Sequence, residues 1–174
     1  NFSNSSFSQT YTCVLSVRKL VSSFTGNCVR IRRGGDNLEL DIGFDSNNNI
    51  DKVAFDVHVN GGSGQGFIKT WYDQSGNARD FGQSTNSQQP ELTFTADGLP
   101  EINYDSINNT QLESTATTGD FGMDSGGFHL GIVQKTSTTS EMVLVSENPT
   151  ANNYAVYINN IIYGGRLTSN ATTS

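Results

Sequence analysis

Short apolar runs recur along the chain, and clusters of Gly, Asn, Asp and Ser separate them. Within the runs, apolar and polar residues often alternate with a period of two, which is typical of β-strands because successive side chains point to opposite faces of a sheet. Residues 154–158 are apolar on both faces, which predicts a central strand. The complete pattern predicts strands at 28–33, 38–44, 67–72, 91–95, 100–104, 127–134, 141–146 and 154–158.

Two stretches change to a helical spacing. In residues 16–24, apolar side chains recur at intervals of three and four, and Ser16 could serve as the N-cap. In residues 51–59, Val53, Ala54, Val57 and His58 recur in the same way after an acidic start. We therefore expect two short helices that lie against the β-structure as lids.

The first twelve residues are almost wholly polar, with aromatic side chains at Phe2, Phe7 and Tyr11. Such a segment cannot fold alone, but it can add as a strand to an open sheet edge, because main-chain hydrogen bonds supply the affinity and the aromatic residues supply anchors. We predict an assembly arm over residues 1–12, exchanged with a neighbouring subunit, and leave a frayed terminus as the alternative. Residues 13–174 are expected to form a single β-sandwich domain.

Composition narrows the classes of partner. The chain has 174 residues, of which 34% are hydrophobic and 16% are charged, so amides and hydroxyls provide much of its polar surface. Its net charge of −7 repels phosphate backbones, and we expect no nucleic-acid partner. No apolar run approaches the roughly 20 residues that a membrane-spanning helix needs, so no membrane span is expected.

The cysteines are Cys13 and Cys28. They are too few for a zinc site on their own and are wrongly spaced for a CxxC redox pair. They could form a disulfide, which would indicate an oxidising compartment, or remain two buried thiols.

The segment from 45 to 56 has the spacing of a calcium-binding loop, with oxygen-bearing side chains at alternate positions and a carboxylate at the twelfth. Ile50 stands where the tight turn of such a loop needs Gly, which weakens this hypothesis. The alternative is an Asn-rich turn that leads into a helix capped by Asp51. The candidate ligands are Asp45, Asn47, Asn49, Asp51 and Asp56.

The string WYDQSGN indicates a buried strand that ends in a sharp turn. We expect Trp71 to pack in the core with Tyr72 beside it, Asp73 to cap the turn or pair with an arginine, and Gly76 to adopt a conformation that other residues avoid. Nearby arginines and aspartates could form an ion-paired structural seam, from Arg18, Arg30, Arg32, Arg33, Asp36, Asp41 and Asp73.

Residues 17–79 contain VRKLVSSFTGN, VRIRRGGDNLELDIGF and FIKTWYDQSGNAR. These strings resemble the N-terminal part of arabinofuranosidase B-type catalytic domains, and the related concanavalin-like (LamG-like) modules of phage virion and bacterial surface proteins. The resemblance covers a little over a third of the chain. It implies a jelly-roll-like sandwich of two sheets with one or two short helices, in a class whose members bind polysaccharides, cut them or build surfaces.

An arabinofuranosidase-type activity would need two carboxylates facing each other in a cleft. The resemblance ends before the part of that family that carries its catalytic residues, so no catalytic residue can be transferred. The glutamates that follow the resembling segment are Glu91, Glu101, Glu113, Glu141 and Glu147.

Carbohydrate is relevant in two further ways. Tyrosines near predicted strands could stack on sugar rings, although half-buried sandwich residues would look the same. Sequons that would accept glycans in a secretory host begin at Asn1, Asn4, Asn108 and Asn170.

We therefore expect an extracellular or virion-surface structural module, a subunit of a fibril, appendage or fibre that assembles with copies of itself into a homo-oligomer or filament by strand complementation. The alternatives are a lectin-like carbohydrate-binding module, with or without calcium, and an arabinofuranosidase-type glycoside hydrolase.

Overall fold

The computed structural model describes residues 11–105, 107–114 and 116, together with the backbone of three later strands. The chain divides into two compact units, Asn1–Met123 and Asp124–Ser174. Each unit is described by itself below.

The first unit is an antiparallel sheet with one α-helix, so the expectation of a mainly β protein is confirmed. Its elements are β1 (Val29–Arg33), β2 (Glu39–Ile42), α1 (Lys52–Asn60), β3 (Gly66–Trp71), β4 (Phe81–Gly82), a 3-10 helix (Asn86–Gln88), β5 (Glu91–Phe94) and β6 (Pro100–Asn103). The strand order is β2-β1-β3-β5-β6, and the short β4 pairs with the end of β3.

The second unit contains a three-stranded antiparallel sheet of β7 (Met142–Ser146), β8 (Tyr154–Ile158) and β9 (Arg166–Ser169). Strand β8 pairs with both neighbours, which confirms the central position predicted from its apolar faces. The strand predicted at 127–134 lies outside the described residues. Strands β4 and β9 were not predicted, since β4 has two residues and β9 carries a weak apolar signal.

One face of the larger sheet forms the core. Ile31 is the cross-strand neighbour of both Leu40 and Ile68, so the alternate residues of three strands lie on one face. Trp71 packs against this core while remaining partly exposed, in agreement with its predicted place. The buried apolar residues are Cys28, Val29, Ile31, Ile42, Ile50, Phe55, Val59, Ile68 and Leu92.

Helix α1 confirms the second predicted helix, and Asp51 caps it by accepting a hydrogen bond from the backbone N–H of Ala54 at 2.9 Å. The buried face agrees only in part with the one that the spacing indicates. Ala54 packs against the core and His58 is buried, as the spacing indicates, whereas Val53 and Val57 are exposed. Phe55 and Val59 are buried in their place. Both faces of this helix carry apolar residues, and the larger Phe55 ring packs on Phe94, with 5.2 Å between ring centroids.

The helix predicted over 16–24 is wrong. This segment is extended where Arg18 forms an antiparallel bridge with Asn49. The Lys19 N–H donates to the Asn48 carbonyl at 2.7 Å, and the Ile50 N–H donates to the Val17 carbonyl at 2.8 Å. Backbone groups that a helix would pair internally are paired with another segment instead.

The side chain of Gln74 completes this arrangement. Its amide nitrogen donates to the carbonyls of Ser16 and Arg18, both at 2.9 Å, and its oxygen accepts from the Leu20 N–H at 2.8 Å. Gln74 is 1% exposed, so these bonds are shielded from water. A single buried amide therefore satisfies three backbone groups that the helical spacing would assign to intrahelical bonds.

In the part of the chain that the structure describes, no helix has the length and apolar character needed to cross a membrane.

Candidate binding groove on the polar face of the sheet

A row of mainly polar side chains crosses the larger sheet. In cross-strand register, Glu39 on β2 is the neighbour of Arg32, and Arg32 is the neighbour of Phe67. Phe67 is the neighbour of Glu91, which is the neighbour of Asn103 on β6. Directly opposed residues share one face of an antiparallel sheet, so this row defines a polar face across five strands.

A groove of about 500 Å³ lies along this row. Its walls consist mainly of amide and hydroxyl groups, with Arg32 as its cation, Phe67 as its aromatic residue, and the carboxylates of Glu91 and Asp105. The Gly34-Gly35 turn also contributes, and Gly35 has a φ of +95°, which favours glycine. The amide and hydroxyl residues are Gln65, Asn86, Ser87, Gln89, Asn103, Asn108 and Thr110.

Arg32 is held firmly in place. Its Nε donates to the Gln89 side-chain oxygen at 2.6 Å, Nη1 donates to the Asn37 side-chain oxygen at 3.0 Å, and Nη2 donates to the Asn86 carbonyl at 3.1 Å. The guanidinium carbon lies 4.5 Å from the centre of the Phe67 ring, which is a cation–π contact. Burial lowers the pKa of Arg32 from its ordinary value, because removal from water disfavours the charged form.

The two groove carboxylates have different local roles. Glu91 accepts a hydrogen bond from the Gln65 side-chain amide at 3.3 Å. Asp105 organises a turn, accepting from the Ile107 N–H at 2.8 Å and from the Asn108 side-chain amide at 2.5 Å. Asn108, a predicted sequon residue, is therefore an exposed groove residue.

The predicted arginine–aspartate seam is present in part. Arg30 forms a two-pronged ion pair with Asp41 at 2.8 and 2.7 Å, and the Tyr72 hydroxyl donates to the same carboxylate at 2.7 Å. The hydrogen bonds from Arg30 lower the pKa of Asp41, whereas burial and the bond to Asp41 raise the pKa of Tyr72 to about 12. Arg33 pairs with Asp36, whose pKa falls to about 2. None of these residues lines the groove. Arg30 and Asp41 are cross-strand neighbours, so their ion pair links β1 to β2.

Asp73 caps the turn after β3, which is one of the two roles predicted for it. The carboxylate is 3% exposed and accepts from the N–H groups of Val14, Ser75 and Arg79 at 2.8, 2.8 and 3.1 Å. It also accepts from the Ser75 hydroxyl at 2.6 Å. Gly76 has a φ of +89°, as predicted for this turn. The arginine that Asp73 contacts in this turn is Arg79, which donates to the carboxylate through its backbone N–H group.

The segment from 45 to 51 is the Asn-rich turn of the alternative hypothesis. Asp45 accepts from the N–H groups of Asn47 and Asn49 at 2.8 and 2.9 Å, Asp51 caps α1, and Asp56 pairs with Lys52 at 2.5 Å. The proposed calcium ligands thus have protein partners or serve the turn. Among the described residues, no three His, Cys, Asp or Glu side chains converge on a metal-sized centre.

Cys13 and Cys28 are free thiols in the structure. The Cys13 thiol lies 3.6 Å from the Arg79 carbonyl, and the Cys28 thiol lies 3.4 Å from the Ser16 carbonyl. Burial raises the pKa of each thiol to about 12, which keeps both protonated and poorly nucleophilic.

The start of the described chain is anchored to the turn after β3. Asn77 donates from its side-chain amide to the carbonyls of Tyr11 and Thr12 at 3.0 and 3.1 Å, and Arg79 donates to the Thr12 carbonyl at 2.6 Å. Tyr11 itself is 45% exposed. Other predicted site residues lie outside the described residues, namely Phe2, Phe7, Asn1, Asn4 and Asn170.

The groove itself was not predicted. Its residues come from separate strands and turns, and each is an ordinary polar residue in its own segment. The available signal was the set of polar residues at alternate strand positions, such as Arg32 and Glu91. That signal becomes specific only when the strand order is known, because the order decides which polar positions become neighbours.

Comparison with known proteins found no relative of this chain. No family model, no curated protein and no solved structure matches this chain. The functional argument therefore depends on the geometry of the described residues and on the motifs of the sequence.

Proposed function

We propose that this chain is a lectin-like, carbohydrate-binding module that acts outside the cell or on a virion surface. The observation that carries the proposal is the groove of about 500 Å³ on the polar face of the sheet. A polysaccharide presents many hydroxyl groups, which need donors and acceptors in close array. The amides, hydroxyls and carboxylates of the groove supply both kinds of group.

The aromatic residue that lines the groove is Phe67, which is partly exposed. A phenyl ring offers an apolar surface, which suits contact with the apolar face of a sugar ring. Phe67 is therefore the aromatic residue that we propose as a sugar contact.

The resemblance of residues 17–79 to LamG-like modules supports the same function. It would make the observed sheet one layer of a two-sheet, jelly-roll-like sandwich, of the kind that binds polysaccharides or builds surfaces. The arabinofuranosidase alternative is retained only as an outcome of the assay below, because among the described residues the two groove carboxylates have local partners: Glu91 accepts from Gln65, and Asp105 organises its own turn.

Filling the groove tests the proposal. Ser87 lines the groove and is exposed, so Ser87→Trp should obstruct it without disturbing the core. Ser84→Trp is the matched control, because Ser84 is exposed in the same connection and does not line the groove. We expect the native chain to bind at least one polysaccharide in a glycan array, with binding lost in Ser87→Trp and kept in Ser84→Trp.

Two results would contradict the proposal. The native chain could bind no saccharide on the array, or both tryptophan variants could bind as well as the native chain. Release of nitrophenol from a nitrophenyl arabinofuranoside would instead support the hydrolase.

Assembly by strand addition is a second candidate function, and the β2 edge favours it. Among the described strands, β2 pairs with β1 alone, and the apolar residues Leu38 and Leu40 are 55% and 42% exposed there. An exposed apolar edge strand can accept a strand from another chain. The occupant that we propose is residues 1–10 of a second copy, because that segment leads into the anchored, exposed Tyr11. Such pairing would build an oligomer or filament.

A further inference from the structure

Arg32 is a buried cation without an ion pair among the residues that the structure describes. The residue is 7% exposed, and its hydrogen-bond acceptors are two side-chain amides and one backbone carbonyl, all neutral. Its cross-strand neighbour Glu39 is an acid, but that carboxylate lies 2.5 Å from the ammonium nitrogen of Lys69. The guanidinium therefore has neutral hydrogen-bond partners, and the nearby Glu39 carboxylate favours its charged form without forming an ion pair with it.

A buried charge without a counter-ion carries a large desolvation penalty. A bound anion would offset part of that penalty. A guanidinium has five N–H donors, and three of them are used in the contacts above. One donor remains on each terminal nitrogen. Two acceptors of Arg32, Asn86 and Gln89, line the groove together with Arg32 itself, which puts the guanidinium end of the side chain at the groove wall.

A planar carboxylate is an anion that can accept from two guanidinium N–H groups at once. Arginine and carboxylate form two parallel, charge-assisted hydrogen bonds, which fix orientation as well as adding affinity. The amides and hydroxyls around Arg32 suit sugar hydroxyls. We infer that the groove binds an acidic sugar, a uronic acid residue whose carboxylate is held by Arg32.

This inference rests on the proposed carbohydrate-binding function and adds the chemical class of the sugar. It also assigns an orientation. Glu91 and Asp105 are groove carboxylates and would repel an acid group placed next to them. The acidic end of the ligand is thus confined to Arg32, and neutral hydroxyls face the two carboxylates.

The repulsion from Glu91 gives the sharpest test. Glu91→Gln keeps the size of the side chain and can still accept the bond from Gln65, but it removes one negative charge from the groove. Asp97→Asn removes the same charge from an exposed turn that does not line the groove. Replacing Arg32 would be less informative, because its loss would also break the contacts that hold Gln89 and Asn37.

The experiment measures dissociation constants by calorimetry for three trisaccharides: one with a single terminal galacturonic acid and two galactose residues, the matching galactose trimer, and a galactose trimer with one terminal sulfate. We expect the galacturonate trisaccharide to bind most tightly and to lose affinity as salt is raised. Glu91→Gln should raise its affinity relative to that of the galactose trimer about two- to fivefold, because one repulsive charge is removed from the groove. Asp97→Asn should leave this ratio unchanged.

The outcomes separate this inference from the proposed function. Equal binding of the galacturonate trisaccharide and the galactose trimer would overturn the acidic-sugar inference and leave carbohydrate binding standing. An unchanged ratio of these two affinities in Glu91→Gln would overturn the placement in the groove, and equal or tighter binding of the sulfated trisaccharide would overturn the carboxylate assignment. Binding of no saccharide, on the array or by calorimetry, would overturn the proposed function and this inference with it.

Discussion

Asp73 shows how a single buried carboxylate organises the turn after β3. Burial alone would raise its pKa, but hydrogen bonds from Ser75 and from the N–H groups of Val14 and Arg79 outweigh that effect, so the pKa of Asp73 is lowered. The same contacts tie the start of the described chain to the sheet. The charge of Asp73 is thus coupled to the stability of the fold.

We predict that Asp73→Asn lowers the free energy of unfolding by about 1–3 kcal/mol at pH 7, because the new amide group would face N–H donors. The folded-state pKa of Asp73 lies below its unfolded value of about 3.9, so its ionisation stabilises the fold above that pH and loses this effect as the pH falls through the folded-state pKa. Asn does not titrate, so the difference between native and variant should shrink below pH 4.

Urea unfolding at pH 7 and pH 3 measures both values. Asp97→Asn is the control, since Asp97 is an exposed turn residue, and it should match the native chain at both pH values. A deficit in Asp73→Asn that stays constant or grows at pH 3 would contradict the assigned charge state.

Several residue roles could be predicted because they depend on local backbone geometry. Gly76 adopts positive φ, Asp73 caps its turn and Asp51 caps α1, and each of these preferences acts within a few residues. The role of Gln74 could not be predicted. Its partners Ser16 and Leu20 are more than fifty residues away in the chain, and no local preference connects them.

Among the elements, the segment 16–24 shows where helical spacing misleads. Apolar residues at intervals of three and four also fit an extended segment whose backbone bonds go elsewhere. Here the partners are residues 48–50 and Gln74, which the sequence pattern cannot bring together. Helix α1 differs because Asp51 supplies a local start signal, although the pattern placed Val53 and Val57 wrongly on the buried face.

The dependence of this segment on Gln74 can be measured by proteolysis. Gln74→Ala removes three hydrogen bonds, so we expect local opening of residues 16–20 and faster tryptic cleavage after Arg18 and Lys19. Loss of buried hydrogen-bond partners should also lower the free energy of unfolding by about 1–3 kcal/mol.

The rate of appearance of the new N-termini, followed by mass spectrometry, provides the readout. Gln88→Ala is a matched control, because Gln88 lies in the 3-10 helix away from this segment and should not alter the cleavage rate. Equal cleavage rates in the native chain and Gln74→Ala would show that the backbone pairing with residues 48–50 holds the segment alone.

At the scale of the whole molecule, the mainly β character and most strands were predictable, because alternation survives in short segments. The strand order was not, since each pairing depends on residues far apart in sequence. β1 lies between β2 and β3, for example, and β3 reaches Leu92 of β5 across a connection that contains β4. The polar groove follows from this order, which is why Arg32 and Asn103 could not be recognised as parts of one site.

The assembly hypothesis makes a prediction about the whole chain. Because Tyr11 and Thr12 are anchored by the turn after β3, the exchangeable arm is limited to residues 1–10. Removal of those residues should leave the chain folded and convert oligomers to monomers. Multi-angle light scattering over a range of concentrations measures the mass.

Changing the acceptor edge of the sheet, strand β2, tests the same hypothesis independently. Leu40→Lys places a charge on the exposed β2 edge, where lysine opposes strand addition, and its long side chain can reach water without disturbing the core. Val53→Lys is the matched control on the outer face of α1, where the native residue is 74% exposed. We expect Leu40→Lys to weaken assembly and Val53→Lys to leave it intact. A native chain that is monomeric at every concentration, or a truncated chain with the mass of the native oligomer, would contradict strand exchange.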